Sequence, residues 1–277
     1  MRKNRIEIMK DVATYVILGI GAAFMILPFV WMLLSSLKTM PEIMAIPPKW
    51  FPSSPQWGNY VEAMTKAPFP RYFLNSLIVT IGAVSLQTFL SIMMAYATSR
   101  FDFPGRNVIF ACLLGLMMVP YEMLIITNYV TVTKLKWLDT FWAVIVPGTA
   151  SVYYTYILRN NFLSVPDSYY YSARLDGANS WKYLWRVMIP MNKSAVSTIV
   201  LLNAIGEWNS FMWPMIVTNT DAMRTVQVGL YTFNNDTSTR YDLLMAAATI
   251  IILPLMLLFI VARKKIVSAF SHGGIKG

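Results

Sequence analysis

The stretch VATYVILGIGAAFMILPFVWMLLSSL, residues 12–37, runs 26 residues without a charged side chain. A helix that crosses a bilayer needs about 20 apolar residues, because each adds 1.5 Å toward a hydrocarbon core about 30 Å thick. The basic start before it, Arg2, Lys3, Arg5 and Lys10, would suit a secretory signal, but the apolar core of such a signal is about 7 to 15 residues. We read the segment as a retained membrane span.

The same test, carried outward, finds five more windows. Residues 72–99, 140–158 and 243–262 carry no charge, while 107–133 and 194–220 carry one glutamate each, Glu122 and Glu207. The spanning part of the latter is placed at 194–218. Solid apolar runs do not show the alternation that a transmembrane β-barrel needs. Composition agrees: 56% of residues are hydrophobic and 13% charged, against about a quarter charged in soluble domains, and the mean hydropathy is +0.51. The expected fold is an all-α integral membrane protein, one domain over 1–277 with six transmembrane helices.

Charge then sets orientation. The terminal segments and the 100–106 and 159–193 loops hold 15 Lys and Arg, against 8 in the other three loops, which places both termini in the cytoplasm by the positive-inside rule. The net charge of +10 lies in short groups between apolar runs, a pattern of membrane orientation and not of nucleic-acid binding. Cys112 and His272 are the only residues of their types, which excludes a disulfide framework or a cysteine and histidine metal cluster within the chain. Pro28, Pro120, Pro147, Pro190, Pro214 and Pro254 fall in or beside the windows and predict kinks without breaks. Residues 38–70 hold seven prolines with Trp50 and Trp57, which reads as an ordered interfacial loop.

Between the fourth and fifth windows lies a 35-residue loop, 159–193, too long for a simple turn. Ser164-Val165-Pro166-Asp167 fits a capping box with proline in the first turn, so a short helix is expected to start there. Gly177 is placed to end it about three turns later. The small residues Ser172, Ala173, Gly177 and Ala178 would let another protein approach the backbone closely.

Here the chain resembles a known family. Tyr171-Ser172-Ala173-Arg174-Leu175-Asp176-Gly177-Ala178, followed by Ile189-Pro190, looks like the EAA loop of ABC-importer permeases. Gly206-Glu207-Trp208-Asn209-Ser210-Phe211-Met212-Trp213-Pro214 and the ending Gly274-Ile275-Lys276-Gly277 are similar to its carbohydrate-uptake branch, the maltose-type permeases. One departure is that Tyr171 and Ser172 stand where the family has glutamate and alanine. The resemblance implies a docking role at Ala173, Asp176, Gly177 and Ala178, with Tyr171 and Ser172 in the same coupling segment and Tyr169, Tyr170 and Tyr171 offering aromatic packing in place of a charge. It implies a second homologous permease subunit, two ATP-binding cassette subunits that hold ATP and Mg, and an extracytoplasmic solute-binding protein delivering a sugar-like solute. The chain has no GxxxxGK[ST] phosphate loop, so it is expected to hold no cofactor and to catalyse no reaction itself. The expected location is a prokaryotic cytoplasmic membrane, with lipid as a further partner.

A carboxylate inside a span costs about 2.5 to 3.5 kcal/mol, so Glu122 and Glu207 are expected to face the bundle interior or water. Helical spacing groups Asn203, Ser210, Phe211 and Pro214 with Glu207; Tyr121 and Asn128 accompany Glu122. The candidate solute pathway is therefore Glu122, Tyr121, Asn128, Asn203, Glu207, Trp208, Asn209 and Phe211. Two readings stay open for each glutamate, solute contact and a structural or gating role. No basic residue sits inside a window, which favours a sugar or oligosaccharide over glycerol 3-phosphate or another polyol derivative. A channel or secondary transporter would share the spans but not the docking loop, and a membrane enzyme could use Glu122 and Glu207 as an acid and base, but no histidine, metal cluster or nucleophile motif accompanies them.

Overall fold

The computed structural model describes residues 5–234 and 239–273, with side chains described over 9–234 and 239–262. Arg2, Lys3 and the ending Gly274-Ile275-Lys276-Gly277 lie outside the described residues, as do the side chains of Arg5, Arg263, Lys264, Lys265 and His272. Among the described residues the regular elements are all helices, apart from an isolated bridge between Asn234 and Thr239.

Helix α1 (Arg5–Ser36) is followed by the short α2 (Met40–Ile43) and α3 (Gly58–Lys66), then by α4 (Phe69–Arg100). Shorter pieces follow: α5 (Arg106–Leu116), α6 (Ile125–Lys134), α7 (Phe141–Ile145) and α8 (Val152–Leu163). Next come α9 (Asp167–Leu175), α10 (Ser180–Tyr183), α11 (Ile189–Met191) and α12 (Lys193–Trp208). The described chain ends with α13 (Met212–Val217), α14 (Val226–Leu230) and α15 (Tyr241–Gly273). Three helices, α1, α4 and α15, are long and apolar enough to cross a membrane alone, and up to six crossings result if each of three bent pairs makes one.

The bends correct the expectation of kinks without breaks. Pro28 and Pro254 sit inside continuous helices, but four other prolines mark interruptions. Before Pro120 the amides of Met117, Met118 and Val119 bond three residues back, the tightened geometry of a helix end, and the chain turns by 92° between α5 and the Tyr121–Lys134 segment. Pro147 lies in a 3₁₀ turn at a 48° bend between α7 and α8. Pro190 follows a π-helical stretch, Leu184–Met188, at an 82° bend.

The expected continuous span 194–218 also divides. Helix α12 stops at Trp208, where the Asn209 amide side chain turns back to the Ile205 carbonyl at 2.9 Å. Helix α13 restarts with Pro214 in its first turn. A helix running through Pro214 would lose a hydrogen bond and drive the ring into the Ser210 carbonyl.

The chain forms two compact units. One comprises the chain up to Phe69 with Leu230–Leu253, and the other Pro70–Gly229 with the chain from Pro254. In the first, the apolar side chains of α1 are exposed around the helix, Tyr15 and Phe24 among them; a helix apolar on all faces belongs in lipid or against other spans. The proline-rich segment after it is ordered, as expected. Lys38 is fully buried, donating to the Lys49 carbonyl at 2.6 Å and lying 4.2 Å from the Trp31 ring. Glu42 accepts the Thr39 amide at 3.0 Å and the Ser53 amide at 2.8 Å. These bonds, the Thr39 amide foremost, pull its carboxyl down to about 2.

The second unit has two cores. Tyr96, Leu158, Phe162, Tyr183, Leu184 and Met188 form one beside α9. The other contains Val79, Val132, Ala143, Val144, Trp213 and Val217, and in it the Trp213 indole donates to the Ala143 carbonyl at 2.9 Å. A buried indole needs such a partner, and here the bond ties α13 to α7.

Candidate functional site

Helix α9 forms where a short helix is expected, but by different means at its start. The Ser164 hydroxyl donates back to the Asn161 carbonyl at 2.7 Å and Ser164 caps the end of α8, so the expected capping box is absent; Pro166 is the N-cap. The end is as read: Gly177 has φ +75°, the left-handed conformation that glycine adopts without a Cβ penalty. The Gly177 amide reaches Arg174 at 3.1 Å and the Ala178 amide reaches Ala173 at 2.9 Å. These two bonds define a Schellman closure.

The closure sorts the docking candidates. Ala173 and Ala178 are buried in the core beside α9, so their side chains support the helix from within. Tyr170 is half-buried, edge-on to Tyr183 at 5.1 Å. The free face carries Tyr171, 64% exposed, and Leu175, 90% exposed, four residues apart and thus on one side of the helix. Ser172, Asp176 and Gly177 are exposed around them.

A cavity of about 630 Å³ lies in the same unit, walled by α4, α6, the α7 to α8 bend and the end of α12. Of the pathway candidates it gathers Tyr121, Asn128 and Glu207, with Ser210 beside them. Ser151 and Trp213 add a hydroxyl and an aromatic wall. Among the described residues that line it none is basic. Such a lining offers hydroxyl, amide and carboxyl groups with aromatic faces, suited to a polyhydroxylated ligand.

The other candidates lie elsewhere. Glu122 is exposed and does not line the cavity, which separates it from Tyr121: both lie in the 3₁₀ turn Tyr121–Leu124 after the 92° bend, where adjacent side chains point about 120° apart. Asn203 is buried, its amide nitrogen unpaired among the described residues. Trp208 is buried with its ring 6.2 Å from Phe73. Asn209 bonds Ile205 and Gln227, and Phe211 is partly exposed. The strip expected along one face of a continuous helix does not exist, because α12 ends at Trp208.

Two residues were missed. Gln87, mid-way along α4, lines the cavity and donates to the Gly148 carbonyl at 2.6 Å; it sits in a window screened only for charge, and counting amides would have found it. Arg100, counted only for orientation, pairs with Asp167 and donates to the Phe162 and Val165 carbonyls at 2.8 and 2.6 Å.

Comparison with known proteins bears on the family and the fold. The family model for binding-protein-dependent transport system inner membrane components matches residues 87–272. The arabinooligosaccharides transport system permease AraQ of Halalkalibacterium halodurans is 29% identical over 94% of this chain and 96% of its own. The diacetylchitobiose uptake permease NgcG of Streptomyces coelicolor is 30% identical over 94% and 87%. A solved bacterial ABC transporter that imports alginate superposes with a TM-score of 0.82 at 23% identity, covering 95% of this chain and 99% of that one, which shows the shared fold. The chain belongs to the binding-protein-dependent transport system inner membrane components, the permease subunits of ABC importers.

Proposed function

We propose that this chain is one of two similar permeases in an ATP-driven importer, and that the solute it passes is a sugar or oligosaccharide. In this reading the three unbroken helices and three bent pairs make six spans, both termini are cytoplasmic, and α9 is the coupling helix. Two ATP-binding cassette subunits hold ATP and Mg and supply the energy, and a solute-binding protein delivers the ligand from outside. The chain itself holds no cofactor.

The observation that carries the reading is the two-sided build of α9. One side is fastened into the core through Ala173 and Tyr170, while Tyr171 and Leu175 stand free. Free apolar side chains on a short, well-closed helix suit a partner groove better than water. The sugar is supported by the cavity lining without a basic residue and by relatives named for oligosaccharide and diacetylchitobiose transport.

Reconstitution tests it. Proteoliposomes holding this chain with its partner permease and ATPases are expected to take up a neutral oligosaccharide only with ATP and the cognate binding protein. Passage through liposomes holding this chain alone would contradict the importer reading. Selective binding of a phosphate ester such as glycerol 3-phosphate by the binding protein would replace the sugar.

A further inference from the structure

Arg100 is the last residue of α4, yet its side chain is only 9% exposed. Its guanidinium holds the chain at the entry to α9: Nη1 pairs with the Asp167 carboxylate in the first turn, and Nη2 donates to the Phe162 and Val165 carbonyls just before it. One turn earlier on α4, the Tyr96 hydroxyl donates to the Ser180 carbonyl at 3.2 Å, beyond the end of α9. The end of α4 therefore grips the chain on both sides of α9. Tyr170 of α9 fills the space between, against Tyr183, whose ring lies 6.4 Å from that of Tyr96.

We propose that Arg100 is a positioning residue that makes α9 and α4 one moving body, so that force on α9 is carried along α4 to the cavity. This rests on the importer reading. The covalent route out of α9 is interrupted: it passes through the π-helical Leu184–Met188 stretch, Pro190 and an 82° bend before reaching α12. Helix α4 is unbroken for 32 residues. Gln87, about 20 Å from Arg100 at 1.5 Å per residue, holds Gly148 at the bend between α7 and α8, where the cavity wall turns. Toward its other end, Asn75 donates to the Ala222 and Arg224 carbonyls at 2.9 and 2.8 Å, and Ser76 accepts the Val226 amide at 2.9 Å. A displacement entering at Arg100 thus reaches both the cavity and the segment at the far end of the rod. Only a planar fork with several donors can serve a carboxylate and two carbonyls together; a lysine ammonium cannot span them.

The test reads cavity access directly. The full transporter, with this chain as Cys112→Ala/Ser210→Cys, is placed in nanodiscs with its partner permease, ATPases and binding protein. Ser210 lines the cavity and Cys112 is the native thiol of this chain, so N-ethylmaleimide labelling read on this chain after the subunits are separated reports the cavity, with and without vanadate arrest. Adding Arg100→Gln is expected to leave ATP hydrolysis running while the vanadate-dependent change in labelling shrinks about fivefold or more, the low end of ordinary coupling between sites. Arg100→Lys should behave like Arg100→Gln. Asp167→Asn, which keeps the two carbonyl contacts, should shrink the response less, and it carries the test should Arg100→Gln fail to assemble. An unchanged response in the assembled variants overturns the proposal and leaves the importer reading standing, with force routed through α12. A parent complex with no vanadate response overturns both.

Discussion

The amide of Ala178 donates to the carbonyl of Ala173 at 2.9 Å across a left-handed Gly177, and the Arg174 side chain donates to the Ala178 carbonyl at 3.3 Å, so backbone and side chain together close the end of α9. A side chain at 177 would meet nothing within 4 Å, and the cost of replacing it is conformational, about 1 to 2 kcal/mol. Gly177→Leu is expected to expose the Ala178 amide to hydrogen exchange and to lower solute-stimulated ATP hydrolysis. Gly177→Asn, which tolerates this conformation better, should keep most of both. Equal loss in the two variants would show that bulk, not closure, is what matters.

The cavity separates the two glutamates. Glu207→Gln is expected to change the rate or apparent affinity of oligosaccharide uptake, and Glu122→Gln to leave both unchanged, since only Glu207 lines the cavity. The reverse pattern in proteoliposome uptake would move the pathway to the exposed side of the Pro120 bend.

Gln87→Leu leaves the Gly148 carbonyl without its donor. Gly148 is half-buried at the cavity wall, and a hydrogen bond there is worth about 0.5 to 1.5 kcal/mol, so the purified complex is expected to unfold at lower temperature. Trp213→Phe removes the indole donor from the fully buried Ala143 and should cost more, about 1 to 3 kcal/mol for an unsatisfied buried group. Retained fluorescence-detected size-exclusion peaks after heating give the comparison, and unchanged midpoints would assign these bonds no structural weight.

Glu42 sets an acid limit on the segment after α1. Its carboxyl is pulled from 4.5 to about 2, chiefly by the Thr39 and Ser53 amides. A depressed carboxyl stabilises the fold above its ordinary value and loses that contribution as pH falls toward its folded value. Exchange protection at the Ser53 amide is expected to hold at pH 5 and to decline between about 4.5 and 2. Glu42→Gln should remove that pH dependence; protection that declines at the same pH in the variant would assign it to another group.

What could be read beforehand depended on whether a residue acts through its neighbours in sequence or across space. Residues 12–37 declare a helix because nothing else accommodates so long an apolar run. Gly177 declares a helix end because its chemistry is local. Ala173 looked like an outer contact because smallness is visible in sequence but direction is not; only the packing of Tyr183 and Leu158 beside it shows that it faces inward. Glu122 and Tyr121 are adjacent, so a sequence reading keeps them together, but the 3₁₀ turn they share points their side chains apart. Arg100 and Asp167 lie 67 positions apart, beyond the reach of periodicity or spacing.

The 92° bend at Pro120 also bears on how the protein is made. Helix α5 has 11 residues and α6 has 10, about 16 Å and 15 Å of helix at 1.5 Å per residue, roughly half the thickness of the hydrocarbon. Neither piece can be released into lipid from the insertion machinery by itself without leaving polar backbone ends in the bilayer interior. The unbroken helices α1 and α4 can enter first, and α4 then supplies the wall against which the bent pieces settle. In the six-span reading, the segment that bears the cavity therefore matures only once α4 is in place.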